Sequence, residues 1–240
     1  MTQRLPDRDG LTDGQRKLLL QAIQCYDFPC VTFNFRAERK IVHSSMRGVE
    51  DAIRSELLSE KVEDVKSGLS NVLFWGYARI GYRDSRLVKF RKNVTDEQLT
   101  NAQRLFQTMA GPGLRQIRAL RLPEFSGLSF ISKIRMFLDP ASYVVLDLQL
   151  LKLREAALQT VFHQIRADSK PTTIRVTQHN ECTYAKWSSF CEQIAANRFV
   201  SYRAADIERG IFHLVQSGRV DDAAGILHDA SVVEGEFSEV

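Results

Sequence analysis

The stretch that decides the fold lies at residues 113–147 and reads GLRQIRALRLPEFSGLSFISKIRMFLDPASYVVLD. Apolar residues recur every three or four positions in 113–121 and again in 128–138, which is the spacing of amphipathic helices. A break containing Pro and Gly separates the two helices at 122–127, and Asp139-Pro140 ends the second helix. The stretch therefore predicts two consecutive helices joined by a tight hairpin.

An extended apolar run, Tyr143-Val144-Val145-Leu146, follows the second helix and delivers Asp147 to the start of the next one. Asp is a good helix N-cap, so a purely structural role for Asp147 is one reading. A cap also holds a carboxylate in a fixed orientation, so the same side chain can serve in catalysis. Both readings stay open at this point.

Composition limits the class of protein. The chain has 240 residues, 44% of them apolar, and a formal net charge of +4. That apolar content excludes disorder for most of the chain, and the mild positive charge is compatible with nucleic acid. No apolar stretch approaches the roughly 18 residues of a membrane span. Residues 1–7 contain no apolar core of a secretory signal, so we expect a cytoplasmic protein, a monomer without membrane contact.

The four cysteines, Cys25, Cys30, Cys182 and Cys191, form no Cys-x-x-Cys pair, which favours a reducing compartment. A composite zinc site from Cys25, Cys30, His179 and Cys182 would fit no common zinc module. Buried thiols acting as small apolar side chains are the favoured reading.

The remaining pattern is mostly helical, and we predict an all-α fold to which one short N-terminal strand or hairpin can be added. The alternating run Cys30–Phe35 is either such a strand or an extended cover segment. Thr95 and Gln98 are placed to form a capping box. Loops are expected at 81–94 and 167–180, and a frayed end at 231–240. Further helices are predicted at 12–25, 46–59, 62–79, 95–109, 148–163, 182–197, 203–217 and 220–229.

The hairpin Leu122-Pro123, the spacing from the second helix to Asp147, and the segment Tyr184-Ala185-Lys186-Trp187 together resemble the helix-hairpin-helix DNA glycosylases. The similarity is greatest to the 8-oxoguanine glycosylase branch, which has a Leu-Pro-Gly-x-Gly hairpin and a Tyr-Ala-x-Trp segment. The resemblance implies two helical lobes with a cleft. Residues 62–145 would form the lobe that carries the hairpin, and 1–61 with 146–240 would form the other.

The resemblance also implies an activity: a base is flipped out of double-stranded DNA and its N-glycosidic bond is hydrolysed with the help of Asp147. A carboxylate beneath C1′ would stabilise the positive charge that develops on the sugar. No cofactor is required beyond a structural monovalent cation on the backbone carbonyls of Leu120, Leu122 and Phe125. The target base and the choice between repair and defence against modified foreign DNA stay open.

Binding residues follow from the same motif. Amides at a helix N-terminus bind phosphate, and the expected DNA contacts are Ser126, Gly127, Leu128, Ser129, Lys133 and Arg135. Basic residues between 79 and 92, interleaved with two tyrosines, form either a surface that follows phosphates or a solvated loop. A flipped base needs stacking faces, and the candidates are Trp75, Tyr77 and Trp187. The alternative for each of these aromatics is a place in the core.

Two departures from the family pattern matter. Glu124 stands where the first hairpin Gly is expected, so a different hairpin backbone is predicted. Leu128 stands where members with lyase activity carry a Schiff-base lysine, and Lys133 lies elsewhere around the helix. We therefore expect a monofunctional glycosylase. The alternatives are a non-catalytic helix-hairpin-helix DNA-binding protein and a lyase that uses another lysine.

Overall fold

The computed structural model describes residues 11–108, 111–156, 160–169, 171–199 and 201–235. These residues are mostly helical, with one two-stranded sheet, which confirms the all-α prediction with a short N-terminal hairpin. The helices are α1 Asp13–Gln24, α2 Met46–Leu57, α3 Val62–Gly76, α4 Arg83–Asn93, α5 Asp96–Thr108, α6 Leu114–Ala119, α7 Leu128–Leu138, α8 Leu153–Ala156, α9 Gln178–Arg198, α10 Ala204–Gln216 and α11 Val220–Gly235.

The strands β1 (Val31–Asn34) and β2 (Arg39–Val42) pair antiparallel, with Val31 opposite Val42 and Asn34 opposite Arg39. The Asn71 side chain of α3 satisfies the backbone of β1 because its Oδ1 accepts from the Phe33 amide and its Nδ2 donates to the Phe33 carbonyl. One amide side chain therefore ties β1 to α3, and Phe33 of β1 also packs against Phe74 of α3, with ring centroids 5.6 Å apart.

Residues 81–94 were predicted as a loop, and this prediction is wrong because Arg83–Asn93 form α4. The high charge of the segment hides the apolar pair Leu87 and Phe90, which are three positions apart and buried. Phe90 meets Phe125 edge to face, with ring centroids 5.6 Å apart. Burial of these two side chains helps to stabilise a helix that is otherwise polar.

The predicted single helix at 148–163 is also wrong for the described residues. A 3₁₀ turn at Leu148–Lys152 leads into α8, and a second 3₁₀ turn follows at Val161–Gln164. The buried residues Leu150 and Leu153 are three positions apart, and side chains at that spacing lie on one side of a 3₁₀ helix.

At the level of single elements, the predicted capping box is confirmed and two predicted boundaries differ. Thr95 and Gln98 exchange the two hydrogen bonds of a capping box, at 3.0 and 3.2 Å. Helix α9 starts at Gln178, inside the loop predicted at 167–180. Helix α11 continues to Gly235, past the expected start of the frayed end. Residues 236–240 lie outside the described residues. Residues 1–10, which include the region expected to lack a secretory signal, also lie outside them.

The chain divides into two units, each described by itself. The terminal unit comprises the residues up to Tyr26, Ala141–Thr172 and the residues from Cys182 onward. The hairpin unit comprises Asp27–Pro140 and Thr173–Glu181. In the hairpin unit α3 packs against α2, α4, α5 and α7, and in the terminal unit α10 packs against α1 and α11.

Helices α1 and α10 approach very closely at Gly210. A Cβ at this position would lie 2.7 Å from Cδ1 of Leu19 and 2.8 Å from Cγ1 of Ile23. Glycine is therefore required where the N-terminal helix crosses the C-terminal region. Within the described ranges, none of the helices has the length and apolar character needed to cross a lipid bilayer.

Candidate functional site

Asp147 lies in the terminal unit, directly after the buried extended run Val144–Leu146. Its side chain accepts a hydrogen bond of 3.2 Å from the Gln149 amide, and it caps the 3₁₀ turn Leu148–Lys152. The residue is partly exposed. The helix-capping role considered from the sequence is therefore real, and it leaves the carboxylate at the edge of the unit.

Helix α9 holds the backbone before Asp147 through two side chains. The Tyr184 hydroxyl donates to the Val144 carbonyl at 2.8 Å, and the Trp187 indole Nε1 donates to the Val145 carbonyl at 3.1 Å. Both aromatic side chains are fully buried. The Tyr-Ala-x-Trp segment and the run before Asp147 were separate signals in the sequence, and the fold of the terminal unit joins them.

The hairpin between α6 and α7 has an unusual backbone. Arg121 has φ = 52° and Glu124 has φ = 67°, which is the left-handed region that favours glycine. Glu124 therefore adopts a glycine-like conformation where the family pattern has Gly. The Leu122 carbonyl, one of the expected cation ligands, accepts from the Phe125 amide at 3.2 Å within this turn.

The Glu124 carboxylate is held by two cations of α4. Arg86 Nη1 lies 2.7 Å from Oε2, and Lys89 Nζ lies 2.9 Å from Oε1, while the Glu124 side chain is only 3% exposed. Burial acts to raise the pKa of Glu124, but the hydrogen bonds from Lys89 and Arg86 outweigh it and hold the pKa below its ordinary value. Glu124 is therefore an ionised anchor between the hairpin and α4.

The N-terminus of α7, expected to bind a phosphate, is covered by residues 173–174 of the same unit. The Leu128 amide donates to the Ile174 carbonyl at 2.9 Å, and Ile174 is fully buried. A Cβ at Gly127 would collide with Oγ1 of Thr173. A phosphate can bind the Leu128 amide only if this segment moves away.

The other expected DNA contacts of α7 are distributed unevenly. Ser126 is exposed, Ser129 and Arg135 are half-buried, and Lys133 is only 5% exposed. The Lys133 Nζ donates to the Ser129 carbonyl at 3.3 Å and lies 5.0 Å from the centre of the Phe130 ring. Lys133 therefore lies inside the hairpin unit, and a phosphate contact would require its ammonium group to leave this position.

The three candidate aromatics of a base pocket are buried in their own units. In the hairpin unit, Trp75 packs against Phe28 and Phe137, and Tyr77 packs against Phe130 with centroids 4.4 Å apart. Trp187 lies in the core of the terminal unit. Burial raises the pKa of the Tyr77 hydroxyl. All three rings are therefore packed in a core, which is the alternative that the sequence analysis left open. Stacking of these rings on a flipped base stays a prediction.

Most basic residues of 79–92 have acidic partners from distant parts of the chain. Arg79 pairs with Asp27 at 2.7 Å and Arg91 with Glu63 at 3.3 Å, and Glu124 pairs with Arg86 and Lys89. Arg83 pairs with its neighbour Asp84 at 3.0 Å. The segment itself contains one acid, whereas the fold places Asp27, Glu63 and Glu124 within ion-pair distance of its cations.

Sequence reasoning missed the segment 173–181, which contacts both helices of the hairpin motif. At its end, Glu181 accepts from Arg115 Nε at 2.6 Å and from the Arg115 amide at 3.1 Å, at the start of α6. Burial acts to raise the pKa of Glu181, but the bonds from Arg115 hold it below its ordinary value. The partners are 66 residues apart, and no local pattern connects them.

Among the described residues, no three His, Cys, Asp or Glu side chains come close enough to hold a metal ion. Comparison of the chain with protein-family models, with curated proteins and with solved structures found no match.

Proposed function

We propose that this protein is a DNA glycosylase, which flips a damaged or modified base out of double-stranded DNA and hydrolyses its N-glycosidic bond. The observation that carries the proposal is the support of Asp147. Asp147 is a partly exposed residue, and its carboxylate accepts a hydrogen bond from the Gln149 amide. The preceding backbone is fixed by buried hydrogen bonds from Tyr184 and Trp187. A catalytic carboxylate needs such a rigid and accessible position.

The chemistry assigned to Asp147 is electrostatic and hydrolytic. As the bond from C1′ to the base breaks, positive charge develops on the deoxyribose, and a carboxylate beneath that ring stabilises it. The same carboxylate orients the water that adds to C1′, and the product is a free base and an abasic sugar. In this proposal the terminal unit supplies the carboxylate and the hairpin unit supplies DNA binding.

The proposed product is an intact abasic strand. Strand cleavage by a lyase requires an imine between C1′ and a neutral amine. Leu128, at the family's Schiff-base position, has no nucleophile and is fully buried. Lys133 is also buried and engaged with the Ser129 carbonyl. The reaction therefore uses water, and strand breaks appear only after hot alkali.

The test is a screen of duplex oligonucleotides that each contain one oxidised, alkylated, deaminated or hypermodified base. Asp147→Asn should abolish base release while DNA binding and folding are retained, because the amide oxygen still caps Gln149. Asp221→Asn, an exposed Asp of the same unit, is the matched control and should release the base at the wild-type rate. Base release at the wild-type rate by Asp147→Asn would remove this residue from the reaction.

A second candidate function is a non-catalytic DNA-binding protein. The hydrogen bond from the Gln149 amide to Asp147 favours it, because a capping role alone explains an Asp at this position. This candidate predicts DNA affinity without base release from any oligonucleotide of the screen. Asp147→Asn would then leave DNA affinity and folding unchanged, because the amide oxygen keeps the cap.

A further inference from the structure

Helix α4 carries an unusual share of the protein's charge. Its sequence RDSRLVKFRKN contains five cations and one acid, a formal net charge of +4. The whole chain also has a formal net charge of +4. The rest of the protein is therefore formally neutral in sum. Glu63 and Glu124 pair with cations of α4, so the helix together with these two acids keeps a formal charge of +2.

The buried carboxylate of Glu124 orients two of these cations without hiding them. Its side chain is 3% exposed, whereas Arg86 is 42% exposed and Lys89 is 60% exposed. Each cation gives one N–H to Glu124, and a guanidinium and an ammonium have further donors available. The anion thus lies beneath the surface, and the remaining donors of Arg86 and Lys89 are left for an external acceptor.

The outer face of α4 combines this charge with exposed apolar groups. Ser85, Val88, Lys89 and Lys92 are all exposed. Ser85 and Lys92 each lie three or four positions from both Val88 and Lys89, so the four side chains share one face of the helix. Val88 is 66% exposed, and Tyr82, just before the helix, is 50% exposed beneath the Arg86 guanidinium. Cations interleaved with an aromatic ring are typical of surfaces that bind nucleic acid.

We infer that the outer face of α4, formed by Ser85, Arg86, Val88, Lys89 and Lys92, is the surface through which the hairpin unit binds the phosphate backbone of double-stranded DNA. The inference rests on the proposed function and names its DNA contacts. The N-terminus of α7 is the weaker candidate because its Leu128 amide already donates to Ile174. The α4 face presents its donors to solvent, and its charge is complementary to a polyanion.

The experiment compares the same charge change at two exposed valines of the hairpin unit. Val88→Glu adds an anion to the α4 face. Val42→Glu adds one to β2, where Val42 is 79% exposed and lies near the cations Arg39 and Lys40. Neither valine is buried, so both variants should fold, which circular dichroism checks. The full-length proteins are titrated with a fluorescein-labelled duplex containing a tetrahydrofuran abasic-site analogue, at several salt concentrations.

Val88→Glu should weaken DNA binding about 3- to 10-fold at low salt and flatten the dependence of affinity on salt, because fewer counterions are released. Val88→Lys should strengthen binding and steepen that dependence. Val42→Glu should change affinity less than about 2-fold, because β2 lies outside the α4 face.

The outcomes separate this inference from the proposed function. Equal effects of Val88→Glu and Val42→Glu, or no effect of either on a wild type that binds DNA, would overturn the α4 surface and leave the glycosylase proposal standing. Absence of DNA binding by the wild-type protein at low salt would overturn both. The inference would also be contradicted if Val88→Glu left DNA affinity unchanged and the α4 face bound an acidic protein instead.

Discussion

Glu124 shows how a non-glycine residue can be held in the left-handed backbone region. A non-glycine residue with φ = 67° is strained by about 1 kcal/mol. The negative charge of its carboxylate is paired with Arg86 and Lys89, which lie 38 and 35 positions earlier in the chain. The structure supports the left-handed conformation of Glu124 with two ion pairs, and a hairpin backbone different from the family's stays a prediction.

Tyr184 is predicted to act on Asp147 through the backbone. Tyr184→Phe removes the hydroxyl and leaves the buried Val144 carbonyl without this donor, which costs about 1–3 kcal/mol in unfolding free energy. If the glycosylase proposal holds, the rate of base release at saturating DNA should fall more than DNA affinity, because the carboxylate loses its fixed position.

The matched control is Tyr202→Phe, a hydroxyl deletion at a half-buried tyrosine of the same unit. It should leave both the unfolding free energy and base release near wild type. Urea unfolding and single-turnover kinetics provide the two measurements. Loss of stability with an unchanged single-turnover rate would limit Tyr184 to a structural role.

At the scale of elements, segment 173–181 completes the hairpin motif. Its Ile174 carbonyl accepts from the first amide of α7, and its Glu181 carboxylate binds the Arg115 amide at the start of α6. Free amides at helix N-termini must be satisfied when they are buried. A segment distant in sequence therefore caps both helices, beside the Gln116 side chain of α6, which accepts from the Gly113 amide at 2.7 Å.

Gly127→Ala should destabilise the protein by about 1–3 kcal/mol, because the new Cβ collides with Oγ1 of Thr173 and displaces the segment from α7. The Leu128 amide should then exchange its hydrogen faster. Adding Thr173→Ala should restore much of the stability, and Gly81→Ala, where the Cβ meets open space, is the control. Thermal unfolding and hydrogen exchange measure these effects, and equal losses in the single and double variants would contradict the collision.

Glu56 of α2 makes the packing of α2, α3 and β1 sensitive to pH. Burial raises its pKa to about 7, the hydrogen bond from Asn71 acts in the opposite direction, and Asp64 adds to the rise. Asn71 also holds the backbone of Phe33 in β1. The folded pKa of Glu56 is above the unfolded value of 4.5, so the folded state favours the protonated carboxyl. The stabilisation that this gives is fully present below pH 4.5 and is lost as the pH rises through about 7.

We therefore expect Glu56→Gln to flatten the decrease of unfolding free energy between pH 5 and pH 8. The difference from wild type should reach about 1–2 kcal/mol after discounting for solvent screening. The glutamine oxygen can still accept from Asn71, so the packing is kept. Glu60→Gln, at an exposed neighbour, should follow the wild-type pH curve. Parallel pH curves for Glu56→Gln and wild type would contradict a raised pKa.

At the scale of the whole molecule, neither unit is a continuous piece of chain. The terminal unit is assembled from three segments and the hairpin unit from two, so the chain passes between them repeatedly. Each unit closes loops in the chain that forms the other unit. When one unit unfolds, those loops become longer and more flexible, so the entropic cost of keeping the other unit folded rises. The connectivity therefore favours joint unfolding.

The two tryptophans test this directly, since Trp75 lies in the hairpin unit and Trp187 in the terminal unit. Trp75→Phe and Trp187→Phe each leave one reporter, and we expect coincident urea transitions in either background. Gly210→Ala, which crowds Leu19 and Ile23 in the terminal unit alone, should shift the midpoint seen by both reporters. A shift confined to Trp187 would show that the units unfold independently.

The sequence by itself determined the features that depend on neighbours along the chain. The two helices around the hairpin, the capping box of Thr95 and Gln98, and the capping Asp147 after a buried run all follow from periodicity and local hydrogen bonding. Only the tertiary structure decided which residues meet across long separations. Glu124 with Arg86, Glu181 with Arg115, and Tyr184 with Val144 pair over 38, 66 and 40 positions. Helical periodicity shows which face of a helix is buried but does not name its partner, so charged α4 looked like a loop and Lys133 like a surface cation.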